Sequence, residues 1–338
     1  MKKNPFFPIS FILVIQMIAF VHFAQSQPVY EFKKKISLPT GDAKWDYLKM
    51  DEAKNRLFIS HGDRVHVIDI KTSTQLTEFD SLKGVHGIAL ATDFKKGYIT
   101  NGTDNSITIF DYNSLEVLKT IKIEGKKADA ILYDAYSKQV YVFNNGSGNA
   151  IVINPKNDSV IAKIEMGGAP EFGASNNKGS VFNNNEDSNT IFEIDTKSNT
   201  IKNKYAILPN KVPTGLAYDA KNNRLFSVCR DPKTLVVVDA NNGNMVQTLP
   251  IGAGVDAVAY DKKLKLVFTS NGEGTVSIFK QASANNYTLI QTLKTQPGLR
   301  TMALNPSTHE IYLSGADFKE DKKTVVSASF GVYVYGIK

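Results

Sequence analysis

The stretch YITNGTDNSITIFD (residues 98–111) runs from an apolar tetrad through an Asn/Gly loop into an alternating strand, and the chain nearly repeats it. It returns as YVFNNGSGNAIVIN (141–154) and more loosely as VFTSNGEGTVSIF (267–279). Asn and Gly tolerate the positive φ that a tight strand-to-strand turn demands, so each copy reads as the heart of a β-hairpin. Aligning the aromatic of the tetrad extends the repeat over the chain as Phe58, Tyr98, Tyr141, Phe182, Phe226, Phe268 and Tyr312, at spacings of 40, 43, 41, 44, 42 and 44. A period near 42 residues is the mark of a repeat architecture.

Each unit has four short strands. In the fifth they are GLAYD (215–219), LFSV (225–228), LVVVD (235–239) and MVQTL (245–249), with the polar turn KNNR (221–224) between the first two. Strands rich in β-branched and aromatic residues, bounded by turn formers, predict antiparallel sheet. No window carries a sustained 3.6-residue apolar stripe, so helix should be nearly absent. A single unit cannot bury both faces of its sheet, and stacking seven radially does so, which predicts an all-β, seven-bladed β-propeller. The seventh unit lacks an outer strand after GVYVYGI (331–337). VYEFKKKISL (29–38) matches the pattern of the outer strand EVLKTIKI (116–123), so this N-terminal strand is expected to complete the last blade.

These residues resemble the YVTN-repeat (YncE-like) β-propeller family, whose repeats are named for a tetrad like Tyr98-Ile99-Thr100-Asn101. The resemblance covers residues 27–338 and implies a fold more than a chemistry. Blade 1 departs from the tetrad with His61 in its fourth place, and blade 5 with Cys229. Members of the family are typically periplasmic or secreted, and the family also resembles propellers that act as lactonases.

Residues 1–26 read as a cleaved secretory signal: Lys2 and Lys3 precede an apolar run over 11–24, and Ala24-Gln25-Ser26 ends it with small residues. That run is shorter than the roughly 20 residues a membrane span requires, so no stable membrane insertion is expected after cleavage, and a periplasmic or secreted location is. Residues 27–338 then form one propeller domain, expected to be a monomer. Losing Lys2 and Lys3 and no acid lowers the formal charge from +7 to +5, too mild to argue for nucleic acid. Basic residues of the first hairpins are offset by neighbouring acids, with only Phe94 and Tyr136 as stacking candidates there, so nucleic acid is not an expected partner. Cys229 is the only cysteine, so the chain has no intrachain disulfide.

In a propeller, the starts of the seven inner strands surround one mouth of the central channel. Those positions are Asp46, His86, Asp129, Glu171, Thr214, Asp256 and Arg300, with a one-residue hairpin deletion in blade 4. The resulting mouth is polar and mainly anionic. A small ligand, an ion or a partner protein could be held there, although the same residues would also serve simply to solvate the opening. Loops on the same face add His61, Arg64 and Arg230 as candidate binding residues, while the Asn-rich run 183–189 and Cys229 read as turn and core residues. A divalent cation is a candidate cofactor although none is required, and Asp46, His61 and His86 are the candidate metal ligands. Binding rather than catalysis is the expected role. If the protein is an enzyme, a lactonase-like hydrolase or isomerase would use His86, Glu171, Asp256 and Arg300. No CxxCH haem-attachment motif occurs. His66 and His309 show no partner in sequence. Asp69, Asp111, Asp195 and Asp239 recur after the third strands and read as turn-stabilising residues. The segment 317–330, with Lys319, Lys322 and Lys323, is long enough to lie over the mouth as a lid or to remain a surface loop.

Overall fold

The computed structural model describes Met1 and residues 28–38, 44–321 and 324–338. The expected signal over residues 1–26 and the lysines Lys322 and Lys323 therefore fall outside the described residues, apart from Met1. Seven four-stranded antiparallel sheets form the blades. The only helical segments described are single 3-10 turns, Glu52–Lys54 and Thr92–Phe94, in the first hairpins of blades 1 and 2.

The turns obey the local chemistry read in the sequence. Asn105 (φ 53°) and Gly148 (φ 65°) take the left-handed conformation in the loops after Asn101 and Asn144. Asp69, Asp111 and Asp195 each accept backbone N–H bonds from the residues two and three positions on, and Asp239 accepts one from Asn241.

Hydrophobic burial is spread over the junctions between blades, with a separate apolar cluster in each of the seven gaps. The seven repeated aromatics are all fully buried there. Some also tie one blade to the next: the Tyr98 hydroxyl donates to Asp158 and that of Tyr141 to Asn199, both at 2.8 Å.

The N-terminal strand Tyr30–Ser37 pairs antiparallel with Gly331–Ile337 and completes the sheet that holds Glu310–Gly315 and Met302–Asn305. It packs in both directions. Tyr30 enters the cluster shared with blade 6, edge-on to Phe268 at 5.1 Å, while Ile36 and Leu38 enter the cluster shared with blade 1. Gln291 of blade 6 exchanges two 2.8 Å bonds with the Tyr30 backbone.

Charges are also buried between blades. Arg56 donates to Asp51 at 2.8 Å and to the Tyr112 carbonyl at 2.8 Å, and the Tyr112 hydroxyl donates to Asp51 at 2.8 Å. Asp51→Ala leaves Arg56 buried without its counter-charge and should cost about 3–5 kcal/mol. Thr100→Val removes one hydroxyl's bonds and should cost about 1–3 kcal/mol. Urea unfolding of the two variants beside the native chain measures both losses, with that of Asp51→Ala the larger.

Candidate functional site

The mouth residues point inward because the inner strands break register where they begin. In blades 1 to 6 the ladder shifts between Trp45 and Leu48, Val85 and Ile88, Ala128 and Ile131, Pro170 and Gly173, Pro213 and Leu216, and Val255 and Ala257. Each bulge encloses one mouth residue and releases its backbone from the ladder. The second strand of the preceding blade supplies replacement bonds. Thr100 Oγ1 donates to the Asp129 carbonyl of the next blade at 2.7 Å and accepts from the Gly87 N–H of its own blade at 2.7 Å. Asn184 Nδ2 donates to the Thr214 and Gly215 carbonyls at 2.9 Å. Ser60 and Ser270 donate in the same way to the carbonyls of His86 and Arg300. In blades 1, 2, 4 and 6 the third residue of the tetrad thus anchors the next blade's mouth residue.

One side of the mouth gathers Asp46, His86 and Asp129. His86 Nδ1 lies 2.5 Å from Asp46 Oδ2 and 3.6 Å from Asp129 Oδ1. Gly102 makes room for the imidazole, since a Cβ there would stand 2.9 Å from Nε2. Burial disfavours the imidazolium, but the Asp46 hydrogen bond and the two carboxylate charges outweigh it, so the His86 pKa is raised. Burial, reinforced by Asp46 and opposed by His86, pushes the Asp129 carboxyl up to about 7.

The opposite side is built on Asp256. Arg230 Nη2 reaches its Oδ1 at 2.5 Å and Arg300 Nε its Oδ2 at 3.0 Å, while Arg230 Nη1 also holds Glu186 at 3.0 Å. Between the two sides sits Glu171, which accepts from Asn145 Nδ2 at 2.7 Å and from the Tyr47 hydroxyl at 3.3 Å. Burial and then the charges of Asp129, Glu186, Asp256 and Asp46 push its carboxyl up to about 9. Crowding of carboxylates is therefore relieved by protonation at one and by guanidinium pairing at another.

Tyr47, not singled out from sequence, closes the channel beneath the mouth by packing on Phe172 at 5.0 Å between ring centroids. Burial, followed by the charges of Asp129, Glu171, Asp46 and Asp256, holds its phenol well above the ordinary range, so it remains a donor. The signal was present: the residues following the mouth positions are Tyr47, Gly87, Ala130, Phe172, Gly215, Ala257 and Thr301, and only two are large. Below them lies a 440 Å³ cavity lined by Met50, Ile88, Leu132 and Met302 among others. A 560 Å³ hollow between the lower hairpins of blades 5 and 6, lined by Tyr218, Lys221 and Tyr260, is separate from the mouth.

Other expected residues lie elsewhere. Thr214 is buried in the wall, its hydroxyl 3.4 Å from the Val255 carbonyl. His61 does not join Asp46 and His86; its buried ring stacks on Phe330 at 3.8 Å, and Asp129 takes its place in the group. Arg64 pairs with Glu78 at 2.6 Å. His66 and His309 do have partners, Glu78 at 3.0 Å and Asp261 at 2.5 Å, which long-range pairing supplies. Of the segment 317–330, Phe318 and Phe330 lie at the blade 7–blade 1 junction and pack on Trp45 at 6.3 and 5.8 Å. Cys229 is fully buried, and desolvation pushes its thiol up to about 12.

No family model matches the chain, and no curated protein matches it. Among solved structures, hydrazine synthase of Kuenenia stuttgartiensis is similar, with a TM-score of 0.72 and 16% identity over 87% of this chain and 95% of that one. At that identity the likeness is one of fold.

Two outcomes follow from the titration of these groups. In the unfolded chain Glu171 releases its proton near 4.5, and in the folded chain near 9. Native stability therefore falls as pH rises through that window. Glu171→Gln does not titrate, so its melting temperature should gain on the native value progressively between pH 5 and 9, as a pH series of thermal melts would record. Cys229 should resist a thiol reagent such as Ellman's in the native state and react once unfolded.

Proposed function

We propose that the protein is an exported, YVTN-repeat propeller that works as a binding module and holds a small polar ligand at the acidic channel mouth. The apolar run over 11–24 with its small-residue end supports export, and the tetrads support the repeat type. One observation carries the binding role: the mouth presents two groups of opposite charge with bonding capacity that no neighbouring side chain fills. Asp129 is 5% exposed and accepts no hydrogen bond among the described residues. Arg300 spends its Nε on Asp256 and leaves its terminal nitrogens without a partner among them. A ligand with an anionic group for Arg300 and a donor or cationic group for Asp129 would satisfy both.

The Asp46–His86 dyad favours a second reading, a lactonase-like hydrolase. Asp46 would fix the imidazole through Nδ1 and leave Nε2 as general base, with protonated Glu171 as acid. Hydrolysis of simple lactones that disappears in His86→Gln would establish that reading in place of the first.

The test is a thermal-shift and calorimetric screen with amino acids and small hydroxy and dicarboxylic acids. A ligand at 100 times its dissociation constant should add about 2.7 kcal/mol of stability. Arg300→Ala should weaken that ligand at least tenfold in a chain that still unfolds cooperatively. Silence across the panel would set the small-molecule reading aside in favour of a protein partner.

A further inference from the structure

We infer that Asp46, His86 and Asp129 form a site for one first-row divalent transition ion, of the Zn²⁺ or Mn²⁺ kind, at the channel mouth. The inference rests on reading the mouth as a binding site and gives that site a specific ligand class.

Geometry is the first support. One donor atom from each residue lies within 4.8 Å of the other two. An ion about 2.1 Å from each donor sets neighbouring donors roughly 3.0 Å apart in octahedral geometry and roughly 3.4 Å apart in tetrahedral geometry. The separations of 2.5 and 3.6 Å from His86 Nδ1 bracket those spacings, so small side-chain rotations complete the set. The ion would replace the proton that Nδ1 shares with Asp46.

The state of Asp129 is the second and independent support. Seven carboxylate side chains are buried among the described residues: Asp51, Asp129, Asp134, Asp158, Glu193, Asp219 and Asp261. Six of them accept two or more hydrogen bonds, as Glu193 does from Ser180, Lys202, Asn203 and Tyr205. Asp134 accepts from Ser137 and Ser175, and Asp261 from Lys263, Leu264 and His309. Asp129 accepts none. Its nearest cationic nitrogens, on His86 and Lys127, stand at 3.6 and 3.8 Å, beyond hydrogen-bond range. Among the buried carboxylates Asp129 alone is held by charge neighbours without a hydrogen bond, which leaves its oxygens open to a further ligand. A cation between Asp129 and the Asp46–His86 pair would take up those oxygens.

The surroundings suit a metal centre. Gly102 backs the His86 ring, and side chains of blades 1 and 2, Ser60 and Thr100, pin the backbones of His86 and Asp129. The donors therefore sit on rigid strands and need little ordering on loading. One imidazole with two carboxylates at an open mouth favours Zn²⁺ or Mn²⁺ over Ca²⁺, which prefers six to eight oxygens.

Titration of the tag-free, chelator-stripped chain with Zn²⁺ and with Mn²⁺ tests the site calorimetrically. One equivalent of at least one of these ions should bind, Ca²⁺ should bind at least tenfold more weakly, and Asp129→Asn and His86→Gln should each lose 10- to 100-fold in affinity. Lys221→Ala, at the separate hollow between the lower hairpins of blades 5 and 6, should bind the ion as the native chain does. Thermal melts of the metal-free variants check folding. Absence of one-site binding, or native affinity in folded Asp129→Asn and His86→Gln, overturns the inference. If small acids still bind in an Arg300-dependent way, the binding-module reading survives that failure. If neither ion nor acid binds, both fall.

Discussion

A four-stranded sheet with apolar side chains on both faces has no stable place in water alone. It needs a neighbour on each side, and that neighbour needs another, until the row closes on itself. Closure here depends on one pairing, Tyr30–Ser37 against Gly331–Ile337, formed by segments some 300 residues apart in sequence. The closing strand is also a packing element, because Tyr30 serves the junction with blade 6 while Ile36 and Leu38 serve the junction with blade 1. Without it, two of the seven apolar clusters would lose members at once.

The chemistry of the mouth follows from the same geometry. Bulges at the start of the inner strands carry Asp46, His86, Asp129, Glu171 and Asp256 at the mouth, and hydroxyl groups of the preceding blade hold the backbones of His86 and Asp129. A ring of carboxylates at such short range cannot remain fully ionised. Glu171 yields by keeping its proton, Asp256 is matched by two arginines, and Asp46 shares a proton with His86. Asp129 has no such arrangement, which makes it the position where a ligand changes the electrostatics most.

What the sequence made legible was local or periodic. The aromatic period set the blade count, and the Asp residues after the third strands announced turns because their partners lie two and three residues away. The mouth positions could be extracted by register alone. Three features resisted. Thr100 bonds across a blade boundary, as do Ser60, Asn184 and Ser270, while the equivalent Phe143 and Val228 cannot, so no common residue type flags the role. His61 and His86 look alike in sequence, but the His61 ring turns onto Phe330, a residue more than 260 positions away, and Asp129 of blade 3 completes the group instead. Tyr47 matters through size, which shows only when its six counterparts are compared.

The central claim, that the N-terminal strand seals the ring and thereby fixes the mouth, is tested most directly by the thermal unfolding of a chain beginning at residue 39. That chain should lose the single cooperative transition and expose apolar junctions to a hydrophobic dye such as ANS. A melt unchanged from that of the longer chain, with no dye binding, would contradict the account.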